Sequence, residues 1–132
     1  MHEAACLEDL EEALQELIKR NCSGIPVIVE GEKDVAALRS LGLSGEIIIL
    51  NVGMSIPDFC DKLSERFSEI IVLTDWDRTG GRLAGLLCSQ LKGRVKCDML
   101  FREVCVRCCM VRVVEGLPCF LTTLRQRVLE KQ

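Results

Sequence analysis

The sequence predicts an α/β domain in which a four-stranded parallel sheet is flanked by helices, with further helices added before and after that core. From residue 25 to about residue 98, short apolar runs alternate with amphipathic stretches of helical period. Strands that alternate with helices in this way imply a parallel sheet with right-handed crossovers. A chain of 132 residues also suits one domain with one core. We therefore expect residues 1–132 to form a single domain.

The first helix is predicted over residues 3–20, where leucines and an isoleucine repeat on one helical face. Residues 26–29 are a short apolar run and form the first predicted strand. Residues 32–41 form the next helix, which a glycine ends, and residues 46–50 form an isoleucine-rich second strand.

The second half of the core repeats this alternation. Ser55 is a candidate N-cap, and Pro57 lies in the first turn of the helix that Ser55 would begin. The predicted elements are a helix over residues 55–67, a strand over 69–74, a helix over 79–91 and a strand over 94–97. The helix over 79–91 offers the core an apolar stripe that consists of Leu83, Leu86, Leu87, Cys88 and Leu91.

The C-terminal extension, residues 99–132, is predicted to be helical on both sides of a link at residues 113–116. Cys105 and Cys108 have the C-x-x-C spacing of zinc ligands and Cys109 follows them, but no second such pair is present. The amphipathic pattern favours cysteine as a small buried hydrophobe and leaves zinc as the alternative. The apolar face contains Phe101, Val104, Cys105 and Cys108, and the charged face contains Arg102, Glu103 and Arg107.

Charge is distributed unevenly along the chain. Residues 1–77 carry a net charge of −10 and residues 78–132 a net charge of +7, although the whole chain carries only −3. A basic flank beside an acidic pocket would suit a phosphate-bearing partner, and two differently solvated surfaces are the alternative.

Three absences exclude other classes of protein. No apolar run reaches the roughly 18 residues of a membrane span, so we expect no membrane partner. The acidic, amphipathic N-terminus resembles neither a signal nor a transit peptide, so we expect a cytoplasmic protein. In that reducing compartment we expect the nine cysteines to be free thiols and not a disulfide framework. Tyr is absent and the one His is His2, which argues against a tyrosine nucleophile, a histidine base and His-ligated zinc.

Acidic residues follow two of the predicted strands. Glu30 follows the first strand, and Asp75 and Asp77 follow the third. Ligands of parallel sheets bind beyond the carboxyl ends of the strands, and residues two apart on an extended segment point to the same side. We therefore expect the three carboxylates to converge, with Trp76 pointing away. The alternatives are a Glu30 that only caps the next helix and aspartates that are solvated loop acids. Asn51 to Gly53 are candidates to line the same pocket, with a plain strand-to-helix turn as the alternative. Carboxylates without nearby His or Cys suit Mg²⁺ or Mn²⁺.

Glycines and cations lie beside these acids in the sequence. Gly31 and Gly80 would let a backbone segment or a phosphate come close. Arg78 and Arg82 are one helical turn apart, and Lys33 lies in the first turn of its own helix. These five residues are candidates for phosphate binding, with ordinary surface charge as the alternative for the three cations.

The segment VIVEGEKDVAALRSLG, with Glu30, Gly31 and Asp34, is followed by VLTDWDRTGGRLA, and this combination resembles the Toprim domain. That domain is shared by bacterial primases, topoisomerases, recombination-repair proteins and small nucleases of ribosomal-RNA maturation. Its pattern is a glutamate after the first strand, an Asp-x-Asp after the third and a glycine just behind. The resemblance covers residues 25 to about 98. The chain length and the segment VRVVEGLPCFL are similar to those of small stand-alone Toprim proteins of archaea.

The resemblance implies a Rossmann-like fold and a role for each matching residue. Glu30 would be a general acid or base, or a metal ligand, and Asp75 and Asp77 would be the magnesium-binding pair. Gly31 and Gly80 would be the tight-turn glycines. We expect weak binding of Mg²⁺ or Mn²⁺ in the absence of substrate, because carboxylate-held Mg²⁺ keeps several waters and usually needs substrate phosphate.

Three functions are compatible with these observations. The first is a magnesium-dependent nuclease acting on phosphodiesters, with structured RNA favoured over DNA because a net charge of −3 argues against tight binding to bare duplex. The second is a non-catalytic Toprim module that binds nucleic acid or a protein partner. The third is a phosphatase resembling haloacid dehalogenases, because Asp75 to Thr79 also spells D-x-D-x-T, with Asp75 as nucleophile. We rank it last, because that motif belongs on a first strand and needs a second acidic pair downstream.

Overall fold

The computed structural model describes residues 2–50 and 53–132. Within these residues the chain forms four strands and six α-helices. The strands are β1 (Val27–Val29), β2 (Ile47–Ile49), β3 (Glu69–Val72) and β4 (Lys96–Asp98). The helices are α1 (Glu3–Cys22), α2 (Glu32–Ser40), α3 (Ile56–Arg66), α4 (Arg78–Leu91), α5 (Leu100–Cys108) and α6 (Leu117–Glu130), and a 3₁₀ turn, Val114–Gly116, precedes α6.

The four strands form one parallel sheet in the order β2-β1-β3-β4. β1 and β3 are the central pair, and the register sets Val27 beside Ile71 and Ile28 beside Val72. Both strands are buried almost completely because helices cover both faces of the sheet, as in other parallel sheets. The predicted α/β fold with a parallel sheet is confirmed.

The helices divide between the two faces of the sheet. Alternate strand residues point to opposite faces, so Val27 and Val29 pack with α1, α2, α5 and α6, whereas Ile28 packs with α3 and α4. The predicted N- and C-terminal helices therefore build one face of the domain together. Their contact is direct, since α1 packs against both α5 and α6.

Two helical side chains lie elsewhere than the periodicity predicts. Leu86 of α4 is 44% exposed, because the buried stripe of that helix runs through Ala84, Leu87 and Leu91 and Leu86 falls beside it. Arg102 of α5 is only 8% exposed, although the sequence pattern assigned it to the charged face. Backbone carbonyl groups accept its hydrogen bonds, which is how a guanidinium can be buried there.

α5 carries two of the cysteines for which the sequence left a zinc site as the alternative. Cys105 and Cys108 are buried in the core with the apolar face of α5, as the amphipathic pattern predicts.

Asn51 and Val52, which are candidates to line the pocket, lie outside the described residues. Across residues 2–50 and 53–132, no helix has the length and apolar character needed to cross a membrane.

Candidate functional site

The carboxyl ends of β1 and β3 meet at one edge of the sheet, and a side chain joins them there. Glu30 follows β1 directly, and its Oε2 accepts a hydrogen bond of 2.7 Å from the backbone N–H of Asp75, which follows β3. The two residues are 45 positions apart in the chain. Pairing of the two central strands therefore brings the glutamate to the Asp-x-Asp segment.

The carboxylate of Asp75 is the most crowded acidic group at this edge. Its Oδ1 accepts a hydrogen bond of 2.9 Å from the N–H of Val114, which favours the charged form. Burial outweighs this bond and raises the pKa of Asp75 to about 6, and the negative charges of Asp34, Glu30 and Asp77 add to the increase. These four carboxyl groups therefore share one electrostatic environment, in which Asp34 of α2 joins the three acids that follow the strands.

Asp77 has a second task in the local structure, because it is the N-cap of α4. Its Oδ1 accepts a hydrogen bond of 2.7 Å from the N–H of Gly80. Trp76, between the two aspartates, points away from them. Its indole N–H donates to the carbonyl of Val111 at 2.6 Å, and its backbone N–H donates to the carbonyl of Arg112 at 2.9 Å.

Asp34 and Glu115 add further negative charge beside the predicted residues. Asp34 is 7% exposed and accepts a hydrogen bond of 3.1 Å from the N–H of Gly31, which fixes the turn between β1 and α2. Burial raises the pKa of Asp34, and the charge of Glu115 contributes to the increase. The spacing of the sequence does not reveal Glu115, because it reaches this edge from the 3₁₀ turn of the C-terminal extension.

Arg102 is the buried cation beneath the Asp-x-Asp segment. Its Nε donates to the carbonyl of Thr74 at 3.1 Å, and its Nη2 donates to the carbonyl of Asp75 at 2.8 Å. Thr74 is itself fully buried and donates from its hydroxyl to the carbonyl of Gly80 at 2.8 Å. α5 therefore holds the backbone of the segment that carries the aspartates. Sequence reasoning missed this role because an arginine on an amphipathic helix resembles an ordinary surface charge.

The two candidate turn glycines differ in what surrounds them. A Cβ at Gly80 would lie 1.8 Å from the carbonyl oxygen of Asp75, so the start of α4 packs directly on the backbone of the Asp-x-Asp segment. Gly80 thus serves the approach of one backbone segment to another. A Cβ at Gly31 would meet nothing within 4 Å, so the space beside Gly31 is open to a ligand.

Exposed cations surround the acidic edge, although fewer than the sequence suggested. Lys33 lies in the first turn of α2, and Arg78 and Arg82 lie in the first two turns of α4. All three are exposed, and no ion pair within residues 2–50 and 53–132 involves them. By contrast, Lys92 and Lys96 lie past the far end of α4, which is about 21 Å long, at the amino edge of the sheet. The basic residues of the second half therefore do not form one continuous flank.

Glu30, Asp75 and Asp77 are the side chains whose oxygens could coordinate Mg²⁺. Glu30, Asp75 and Asp77 each give one oxygen to a backbone N–H, and the hydrogen bonds of the described residues leave their second oxygens open. Within the described part of the chain, no group of three or more His, Cys, Asp or Glu side chains is placed to hold a metal ion. A site of three carboxylates, as the sequence predicts, is therefore not assembled in the described residues, and one or two carboxylates completed by water and phosphate would be the arrangement left for Mg²⁺.

Comparison with known proteins assigns the family. A family profile described as the Toprim domain matches residues 26–105. The chain belongs to the Toprim family. The UPF0292 protein TV1259 of Thermoplasma volcanium is 41% identical over 101 residues, which cover 76% of this chain and 85% of that protein. The UPF0292 protein Mbar_A0484 of Methanosarcina barkeri is 41% identical over 78 residues, or 59% of this chain and 54% of that protein. The resemblance to small archaeal Toprim proteins is confirmed.

A solved structure supports the fold independently. A protein from Aquifex aeolicus superposes with a TM-score of 0.68 over 80% of this chain and 95% of its own, at 24% identity. That likeness concerns the fold alone. The family match indicates a metal-dependent function related to nucleic acid, because Toprim domains generally bind Mg²⁺. It also includes residues 75–79, so the D-x-D-x-T letters belong to a Toprim pattern that follows the third strand of the sheet.

Replacing Gly80 with Ala should destabilise the protein by about 3 kcal/mol, because the added Cβ would overlap the backbone of Asp75. The matched control is Gly85→Ala in the same helix, where a Cβ meets nothing within 4 Å. That change should be neutral or stabilise the protein by up to about 1 kcal/mol through helix propensity. Urea unfolding of the three proteins measures both effects, and equal stability of the two variants would contradict the close packing at Gly80.

Replacing Asp75 with Asn should stabilise the protein more at about pH 8 than at about pH 5. Because the fold raises the pKa of Asp75 from 3.8 to about 6, its contribution to stability is complete below the unfolded-state value and is lost as the pH rises through about 6. Asparagine does not titrate, so the difference in unfolding free energy should shift in favour of the variant by roughly 1–1.5 kcal/mol over that interval. Urea unfolding in EDTA at both pH values measures the shift, and a difference independent of pH would refute the raised pKa.

Proposed function

We propose that this chain is a magnesium-dependent nuclease that cleaves phosphodiester bonds in structured RNA. The observation that supports this function best is the meeting of Glu30 with the Asp-x-Asp segment at the junction of β1 and β3. Open carboxylate oxygens lie there beside the exposed cations Arg78 and Arg82. A phosphodiester needs both kinds of group, since a metal ion offsets the charge of the reacting phosphate and cations hold its neighbours.

Each side chain has a distinct task in this proposal. Asp75 and Asp77 would hold the ion through their open oxygens, and the bound Mg²⁺ would offset phosphate charge and orient an oxygen. Glu30 would exchange a proton with the attacking or leaving oxygen through its Oε1, because its Oε2 is engaged with the N–H of Asp75. Lys33, Arg78 and Arg82 would bind the flanking phosphates. The open space at Gly31 would admit the backbone of the substrate.

A non-catalytic Toprim module, binding nucleic acid or a protein, is the second candidate. One observation favours it. Glu30, Asp75 and Asp77 all accept backbone N–H hydrogen bonds: two of these bonds join distant segments and the third caps α4, so each carboxylate has a structural task without any metal ion. In this case the same cations would bind phosphates and no bond would be cleaved.

The double variant Asp75→Asn with Asp77→Asn separates the two candidates. Cleavage of a structured RNA in Mg²⁺ or Mn²⁺ should fall by at least about 100-fold, because removing a group that merely orients a metal ligand already costs about 10–100-fold. Asn can still cap α4, which keeps the fold intact. Titration with Mg²⁺ should also change the fluorescence of Trp76 in the native chain and not in the variant.

The control is Asp58→Asn, an exposed acid in the first turn of α3. It should cleave RNA and respond to Mg²⁺ as the native chain does. RNA that binds but is never cleaved, with either metal, would support the non-catalytic module. A fluorescence response that survives in the double variant would remove both aspartates from the metal site.

Replacing Arg78 and Arg82 together with Ala should weaken RNA binding and lower its salt dependence. Each phosphate contact that is lost reduces the slope of log K against log salt by about one, so the slope should fall by up to roughly two. Lys92→Ala with Lys96→Ala removes the same charge beyond the far end of α4 and should leave the slope nearly unchanged. Equal slopes in the two double variants would show that only net charge matters.

A further inference from the structure

A cleft lies next to Glu30, between the beginning of α3 and the first half of α4. Its volume is about 440 Å³, within the range of roughly 300–1,000 Å³ that is typical of small-molecule sites. Glu30 lines this cleft and also lies at the carboxylate edge, so the cleft adjoins that edge. The lining residues are Glu30, Leu50, Met54, Ser55, Ile56, Arg82, Leu83 and Leu86.

The chemistry of this cleft differs from that of the carboxylate edge. Five of its eight lining residues are apolar, among them the exposed Leu86, and polar groups contribute at least as much of its surface. A leucine exposed beside half-buried Met54 and Leu83 forms an apolar wall that faces solvent. Only Glu30 and Arg82 bring charge to the cleft, and they have opposite signs.

We infer that this cleft binds the base of the nucleotide whose phosphate lies at the carboxylate edge. This inference rests on the proposed function. A nucleobase has apolar faces and a polar edge, which match an aliphatic wall with a few charged groups at its rim. Arg82 lines this cleft, so the guanidinium that binds a flanking phosphate in the proposed function also borders the space for the base. Because Glu30 borders both the cleft and the carboxylate edge, one nucleotide could place its base in the cleft and its phosphate at the edge.

A site of this kind would select RNA that contains unpaired nucleotides. A base can enter such a cleft only when it is neither paired nor stacked within a helix. The reacting nucleotide would therefore lie in a loop, a bulge or a single-stranded end of a structured RNA. Flipping a base out of a duplex costs the free energy of its pairing and stacking, so fully paired RNA should be a poor substrate.

Methionine methyl NMR can report on the cleft, because Met54 lines it and Met99 and Met110 do not. The protein is labelled at its methionine methyl groups and titrated in Mg²⁺ with hexa-adenylate RNA. Polyphosphate of similar length is the comparison, since it has the charge but no bases. The Met54 signal should move with hexa-adenylate, through the ring current of a bound base, and not with polyphosphate. The signals of Met99 and Met110 should stay in place with both.

A pair of leucine variants supplies the second measurement. Leu86→Ser removes part of the apolar wall and should weaken binding of labelled hexa-adenylate about fivefold, while the slope of its salt dependence stays the same. Leu129→Ser is the matched control, since Leu129 is 68% exposed on α6. Its affinity should equal that of the native chain. Fluorescence polarisation measures both.

The other outcomes overturn the inference in distinguishable ways. Equal movement of the Met54 signal with polyphosphate would mean that the cleft holds phosphate and no base. Binding of hexa-adenylate without movement of Met54 would reject the base site and leave the proposed nuclease standing. Failure of hexa-adenylate and structured RNA to bind at all would reject the proposed function and the base site together. The apolar wall would then suit a protein partner.

Discussion

The hydrogen bond from the backbone N–H of Asp75 to Glu30 is the interaction on which the site depends. It joins the two central strands at their carboxyl ends and sets an acid against a segment that carries two more. Such crowding of like charges is costly, and the fold offsets part of it with a backbone N–H group for each carboxylate. The buried guanidinium of Arg102 holds the backbone carbonyl groups of the same segment. Burial is the main reason why the pKa of Asp75 is raised, and the neighbouring negative charges add to it. In the proposed function, a divalent cation would offset these charges.

Much of this arrangement could be predicted, because its causes are local. Apolar runs that end in an acid identify both a strand and its carboxyl edge, and topology then brings Glu30 to Asp75. The contribution of Arg102 could not be predicted, since its partners are carbonyl groups 27 and 28 residues away. Periodicity reports which side chains are apolar, and it carries no information about which backbone groups a charged side chain will meet. For the same reason Leu86 was assigned to the core, although the buried stripe of α4 passes beside it.

Each of the carboxylates Glu30, Asp75 and Asp77 has one oxygen that stabilises the fold and one that a ligand could contact. In each, one oxygen accepts a backbone N–H hydrogen bond and the other oxygen is open, so the fold positions these groups and leaves an oxygen for a ligand. This division explains why the same residues are compatible with a nuclease and with a binding module. The difference between those functions lies in whether a water molecule and a phosphate can be aligned at the open oxygens.

The segment that contributes Val111, Arg112 and Val114 has a consequence for how the protein acquires its site. These residues bond to Trp76 and Asp75 across 35 to 39 positions of the chain, after every strand has been made. All four strands are synthesised before Val114, and chains begin to fold from the N-terminal side during synthesis. The sheet can therefore assemble while Asp75 still lacks its Val114 partner. Folding of the core and maturation of the acidic centre would then be separate kinetic events, and a nascent chain would carry a complete sheet before it carried a finished site.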